Sequence, residues 1–188
     1  MSIVLASKSP RRKELLSLLD LEFQVITADI DETMNPSLPV IDEVARISYE
    51  KALAVANNID DNAVIISADT IVELDGKLMG KPKDEFEAAQ MLKSLSGNTH
   101  NVHTAVTVLR GDKHETRVVT TAVTFRDISD EEITAYIETR EPMDKAGAYG
   151  IQGRASKFVS GIVGDYFNVV GLPVCELCLM LKNFNINI

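Results

Sequence analysis

Tryptophan is absent from this sequence, cysteine occurs twice and aromatic residues make up only 5% of it. The two cysteines, Cys175 and Cys178, are too few for a disulfide-built secreted scaffold, so a reducing, cytoplasmic setting is expected. Nowhere do about 18 apolar residues run together, which excludes a transmembrane helix. Nor does the opening Met1-Ser2-Ile3-Val4-Leu5-Ala6 supply an export signal, because Lys8, Arg11, Arg12 and Lys13 follow before an apolar core of useful length. Basic residues are scarce as well. Lys+Arg 19 against Asp+Glu 28 leaves a net charge of −9, and such a chain lacks the basic surface that a general nucleic-acid binder needs. Any affinity for phosphate must then come from a local cluster.

The remaining composition, 45% apolar and 25% charged over 188 residues, is ordinary globular usage. A chain of this length buries roughly two-thirds of its unfolded surface and needs no disulfides to fold. Residues 1–188 are expected to form one domain, without internal repeats or low-complexity tracts.

Along the chain, Ile3 to Ala6 reads as a strand and Pro10 to Asp20 as a helix, with Ser9 as N-cap and Pro10 at the first helical position. The alternation of Phe23, Val25 and Thr27 predicts a strand, Ile41 to Ala56 a helix, and Val64 to Ser67 a buried strand leading to Ala68-Asp69-Thr70. Asp75-Gly76 is a hairpin signal. Asp84 with Glu87 resembles a capping box for a helix that stops at Gly97. Val102 to Leu109 and Arg117 to Phe125 predict strands joined by a loose loop, Arg110 to His114. Ser129 with Glu132 opens another helix, closed off by Pro142. Six of the ten glycines fall between Gly147 and Gly171, where Lys157 to Ile162 and Tyr166 to Val170 suggest paired strands. Pro173 starts a last helix with Val174, Leu177, Cys178 and Leu181 on one face. Strands and helices mix without strict alternation, so the fold class is α/β with a mixed sheet.

The loop Ser7-Lys8-Ser9-Pro10-Arg11-Arg12 joins a strand to a helix N-terminus, where free N–H groups and the helix dipole attract anions. Two hydroxyls, Lys8 and the arginine pair favour phosphate, and neighbouring arginines diverge by about 100° on a helix, so each faces a different part of a ligand. An ordinary N-cap with solvated basic residues fits equally well. Asp69 reads as a carboxylate at the carboxyl end of a central strand, where open α/β sheets bind ligands. It could hold a cation, accept a proton, or cap nearby backbone N–H groups. Asp29, Asp31 and Glu32 form an acidic patch that, with Asp69, could supply oxygen ligands to Mg²⁺, or stay a solvated loop. The spacing of Cys175 and Cys178 on an apolar helix face favours core cysteines over a metal or redox site. His100, His103 and His114 read as structural or surface residues.

Ser7-Lys8-Ser9-Pro10-Arg11-Arg12, Ala68-Asp69-Thr70, Gly80-Lys81-Pro82, Leu95-Ser96-Gly97, the stretch from Asp144 to Gly153 and Val170-Gly171-Leu172-Pro173 together resemble the Maf family, in order and interval, from about Ile3 to Phe184. The resemblance implies a metal-dependent nucleoside triphosphate pyrophosphatase that uses Mg²⁺ or Mn²⁺ and is commonly a homodimer. It also implies an elongated mixed sheet flanked by helices, with two lobes around a cleft, as in inosine triphosphate pyrophosphatases. Carried over by position, Asp69 is the catalytic acid and proton acceptor, and Asp69 and Glu32 hold the metal. Ser7, Arg12, Lys51 and Lys81 match polar positions around the phosphates, while Lys8 departs from the small residue often found there. Arg11, Thr70 and Gln152 match members that resemble dTTP/UTP pyrophosphatases; the 7-methyl-GTP type has Trp, Gln and Glu at these places. A Gln amide offers one acceptor and two donors to a pyrimidine edge, whereas Trp would stack on a cationic methylated base. Other readings stay open: clearance of modified triphosphates, or a nucleotide-binding regulator of division, since the family was named for a septum-formation phenotype.

Overall fold

The computed structural model describes residues 2–27, 29–35, 37–60 and 62–188. The buried strand β1 (Ile3–Leu5) ends at a serine-rich loop, and α1 (Pro10–Ser17) begins where the Ser9 hydroxyl accepts from Arg12 N. β2 (Gln24–Val25) is only two residues long. The 23–27 alternation predicts more, but its residues lie at a partly exposed sheet edge. α2 (Val40–Ala56) follows, then β3 (Val64–Leu74), β4 (Lys77–Met79), α3 (Glu85–Leu95), β5 (Thr99–Arg110), β6 (Lys113–Phe125) and α4 (Asp130–Glu138). Three short 3-10 segments lead to β7 (Val159–Val163), α5 (Tyr166–Val170) and α6 (Val174–Asn183). The seven strands form one mixed sheet in the order β2-β1-β3-β5-β6-β7, with β4 on β3.

The chain divides into two compact units, one of Met1–Asp69, Thr104–Val119 and Gly171–Ile188, the other of Thr70–His103 and Thr120–Val170. In the first, β1 pairs in parallel with β3 (Ile3 opposite Val64, Leu5 opposite Ile66) and with β2. Strands buried on both faces read as unbroken apolar runs, as Val64-Ile65-Ile66 does. Their side chains pack with α2 through Val4, Ala6, Ala52, Val55, Ala63, Ile65 and Leu109. Between α2 and the sheet lie buried hydroxyls: Ser67 Oγ donates to the Ser48 carbonyl at 2.6 Å, and Ser48 Oγ meets Thr107 Oγ1 at 2.9 Å. These bonds fix the rotation of α2 against β3.

In the second unit, β3 and β4 join through Asp75 and Gly76, both at positive φ (51° and 80°), as a tight hairpin requires. Asp84 caps α3 by accepting from Glu87 N, but Glu87 returns its bond to Lys83 N rather than to the cap. α4 has the full reciprocal box between Ser129 and Glu132. It ends at Glu138, before Pro142. The core is aromatic: Phe125 meets Tyr149 edge-on at 4.8 Å, and Tyr136 meets Phe158 at 5.4 Å.

Two sequence expectations fail here for local reasons. β5 and β6 extend to Arg110 and from Lys113, so the turn is tight and His114 lies inside β6, its ring 4.5 Å from that of Tyr49. Tyr166–Val170 is helical despite its β-favouring residues. Asp165 Oδ1 accepts from Phe167 N and starts the turn, while β7 pairs with β6 instead.

Gly147 has φ 66°, and a Cβ there would stand 2.8 Å from Val72 Cγ2. Gly147→Ala combines positive-φ strain with overpacking, and is expected to cost about 2–4 kcal/mol. Urea unfolding of the variant checks this; a midpoint equal to wild type would show that the loop relaxes freely.

Candidate active site

The β1–α1 loop turns Ser7 inward. Ser7 is buried, and its Oγ accepts from Ser9 N at 3.2 Å and from Arg12 Nη1 at 3.4 Å. Arg12 Nε donates to the Gly171 carbonyl at 2.7 Å, an oxygen presented by a residue at φ 121° that only glycine adopts readily. Burial lowers the Arg12 pKa; the Asp69 charge opposes that, Arg11 adds to it and Glu32 opposes it. A guanidinium stays protonated regardless, so the balance describes a desolvated cation that favours an incoming anion. Arg11, half-buried beside it, adds positive field. Lys8 faces outward, 2.6 Å from Asp29 in an ion pair whose side chains are 70% and 92% exposed, an arrangement that contributes little to stability.

Asp69 lies within β3, not at its carboxyl end as the sequence suggests. The strand continues because Ile71 and Val72 are buried in turn. One oxygen, Oδ1, accepts from Lys51 Nζ at 2.7 Å, and the same ammonium stands 3.1 Å from Glu32 Oε1. Two carboxylates from different segments thus converge on one cation. The Lys51 hydrogen bond falls on Oδ1 and so orients the Asp69 carboxylate. No cluster of three or more His, Cys, Asp or Glu suited to a metal occurs among the described residues. Two carboxylates nonetheless fit Mg²⁺ or Mn²⁺ chemistry, in which substrate phosphates and water complete an oxygen shell; the Lys51 ammonium is the positive charge they surround in this structure.

Glu32 is held indirectly, by residues that sequence reading missed. The carboxylate of Glu43, in the first turn of α2 and 1% exposed, accepts from Asn35 N at 2.7 Å and from Arg46 Nε and Nη2, each at 2.9 Å. Arg46 Nη2 also donates to the Thr33 carbonyl at 3.1 Å. The available signal was periodicity. Glu43, Ile47 and Lys51 recur every four residues, which places a carboxylate on the buried stripe of α2.

The remaining expected site residues belong to the second unit. Thr70 is the next residue of β3 and half-buried, Lys81 is exposed after β4, and Gln152 is exposed in the turn before the last 3-10 segment. Cys175 is exposed and Cys178 half-buried, which corrects the expectation of core cysteines: Leu177 and Leu181 form the buried face of α6. His100 and His103 are buried within β5, His100 Nε2 at 2.9 Å from the Tyr149 hydroxyl.

The fold resembles that of a HAM1 protein from Coxiella burnetii, with a TM-score of 0.51 over 97% of this chain and 99% of that one, at 14% identity. A family model described as Maf-like protein matches residues 2–184, and the chain belongs to that family. The dTTP/UTP pyrophosphatase of Alkaliphilus oremlandii is 52% identical over 99% of this chain and 98% of its own length. A dTTP/UTP pyrophosphatase of Bacillus cereus is 48% identical over 99% of this chain and 97% of its own.

The Glu43 carboxyl is held down from 4.5 to about 2, chiefly by Arg46 and then by Asn35 N–H. Because the folded pKa is the lower one, its contribution to stability is complete above the unfolded value and is lost as pH falls from about 4.5 towards 2. Glu43→Gln should therefore lose less stability than wild type between about pH 6 and pH 3. Urea unfolding at both pH values tests this, and equal losses in the two proteins would remove Glu43 from the acid response.

Proposed function

We propose that this chain is a dTTP/UTP pyrophosphatase, adding water across the bond between the α- and β-phosphates to give the monophosphate and pyrophosphate. The observation that carries this reading is the Asp69–Lys51–Glu32 set within electrostatic reach of a desolvated Arg12, in a chain about half identical over its full length to relatives of that name. Lys51 orients the Asp69 carboxylate through Oδ1, and that carboxylate takes the proton of the attacking water. Arg12, Ser7 and Lys51 bind phosphate oxygens, and Arg12 gains most as charge develops on the leaving pyrophosphate. Asp69 and Glu32 would hold a divalent cation, Mg²⁺ or Mn²⁺, which would offset phosphate charge and make bound water more acidic. The resemblance to the family assigns Lys81 a phosphate contact and Arg11, Thr70 and Gln152 the choice of base.

A homodimer and a cytoplasmic location belong to the same reading. Val163, 78% exposed, and the neighbouring Ile162, Tyr166 and Phe167 give the second unit an exposed apolar surface suited to self-association. No helix among the described residues is long and apolar enough to cross a membrane.

The decisive experiment presents all common nucleoside triphosphates to the purified protein with Mg²⁺ or Mn²⁺ and measures pyrophosphate and orthophosphate separately. Pyrophosphate from dTTP and UTP is expected; orthophosphate alone would overturn the reaction. Asp69→Asn should lose about 10²- to 10⁴-fold in kcat while still binding nucleotide, and near wild-type turnover would remove Asp69 from the chemistry.

Base selection has its own test. Gln152→Glu places an acceptor without donors against pyrimidine carbonyls, and should lower kcat/KM for dTTP and UTP by about one to two orders of magnitude while weakening discrimination against CTP. A uniform loss across substrates would reduce Gln152 to a brace of its loop.

A further inference from the structure

Glu32 reaches Lys51 from an exposed loop, yet backbone on both sides of it is tied down. On the near side, Asp31 Oδ1 accepts from Thr33 N at 2.9 Å, a turn closed across Glu32 itself. On the far side, the Thr33 carbonyl and the Asn35 N–H are both bonded to α2, the first by Arg46 Nη2 at 3.1 Å and the second by Glu43 Oε2 at 2.7 Å. Arg46 also holds Glu50 through Nη1 at 2.8 Å, so one planar guanidinium serves two carboxylates and a main-chain carbonyl. Glu43 and Lys51 are eight residues apart on α2, about 12 Å along its axis. Contacts at both positions lay the 31–35 loop along the helix.

Glu43 is a poor surface charge and a good anchor. Its side chain is 1% exposed, and a buried carboxylate is tolerated only when hydrogen-bonded and paired. Both oxygens are used, on Arg46 and on the loop backbone. Removing the loop from α2 would leave that carboxylate short of a donor, so its burial discourages the loop from leaving. Lysine at position 46 would keep the charge but could not present three N–H vectors in one plane.

We infer that the Glu43–Arg46 pair is a positioning device for Glu32, setting how tightly the Glu32 and Asp69 carboxylates bind a divalent cation. This rests on the proposed cation site, although not on turnover. Glu43 and Arg46 do not touch the reacting groups; they act through the loop backbone. Groups that orient metal ligands from behind typically change metal affinity by 10- to 100-fold when altered, and the same scale applies here.

The test is a double-mutant cycle on Mn²⁺ affinity, read from the electron paramagnetic resonance signal of free Mn²⁺ titrated into the folded protein, with thermal melts as a control. Glu32→Gln and Arg46→Lys are each expected to weaken Mn²⁺ binding by about tenfold or more. The double variant should be no weaker than Glu32→Gln alone, because the latch acts only through Glu32. At saturating Mn²⁺, Arg46→Lys should keep its kcat, and Glu43→Gln should repeat its affinity loss if Arg46→Lys melts too early to measure. Losses that multiply in the double variant would overturn the assignment, as would unchanged Mn²⁺ affinity in both latch variants. Mn²⁺ binding that ignores Glu32→Gln would overturn it too. If the cycle behaves as expected but no triphosphate is hydrolysed, the latch stands and the proposed reaction falls.

Discussion

The ammonium of Lys51 is the hinge of the first unit's chemistry. Asp69 and Glu32 come from a central strand and an exposed loop, and two carboxylates that approach one another repel unless a cation lies between them. Lys51 supplies that cation at 2.7 and 3.1 Å. It can do so only if α2 is held in rotation and in register against β3. Apolar packing by Ile47, Ala52 and Val55 presses the helix onto the sheet, but packing alone tolerates small slides. The buried Ser48–Ser67–Thr107 hydroxyls do not, because each slide would strand a buried donor or acceptor, at about 1–3 kcal/mol. One turn beyond Ser48, the lysine therefore arrives at a fixed place.

For the proposed reaction an acidic protein must hold polyphosphate. A net charge of −9 repels anions at long range, but that field fades over about 8 Å at physiological ionic strength. The basic groups assigned to phosphate in the proposed reaction would act at contact range, and Arg12 is desolvated as well. Exposed basic residues such as Lys8 and Lys93 are paired with exposed acids, Asp29 and Asp130, and contribute little to either stability or binding. In the proposed reaction, affinity for phosphate rests on a few half-buried side chains, which is what a specific binder needs and a general polyanion binder lacks.

Elements whose signal is local were legible in the sequence. Ser9 and Pro10 mark the start of α1, Asp75-Gly76 the hairpin, and Ser129 with Glu132 the α4 box, because a cap or turn depends on a few neighbouring residues. Tyr166–Val170 was not legible: its residues favour a strand, and only the pairing of β6 with β7 and the Asp165 turn decide for helix. The site divides in the same way. Asp69 and the Ser7–Arg12 loop stand out by position, whereas Lys51 was raised only by family likeness, since nothing local tells one helical lysine from another. Glu43 and Arg46 were missed because their importance lies in bonds to the backbone of residues 33 and 35, and backbone partners leave no mark in the sequence.

The choice of cation at each position follows from what it must do. Arg12 and Arg46 each bond a main-chain carbonyl and a side chain at once, and a flat guanidinium with five fixed donors suits a group that must not move. Lys51 has the opposite task. A compact ammonium on a flexible stem carries no preferred plane, so it can keep Asp69 while yielding Glu32, or turn to a phosphate oxygen, without breaking a network. In the proposed reaction Asp69 and Glu32 would also hold a divalent cation, which would offset phosphate charge. A guanidinium there would have to be uprooted, but an ammonium can release Glu32 and keep Asp69, and the fixed arginines preserve the frame while it does.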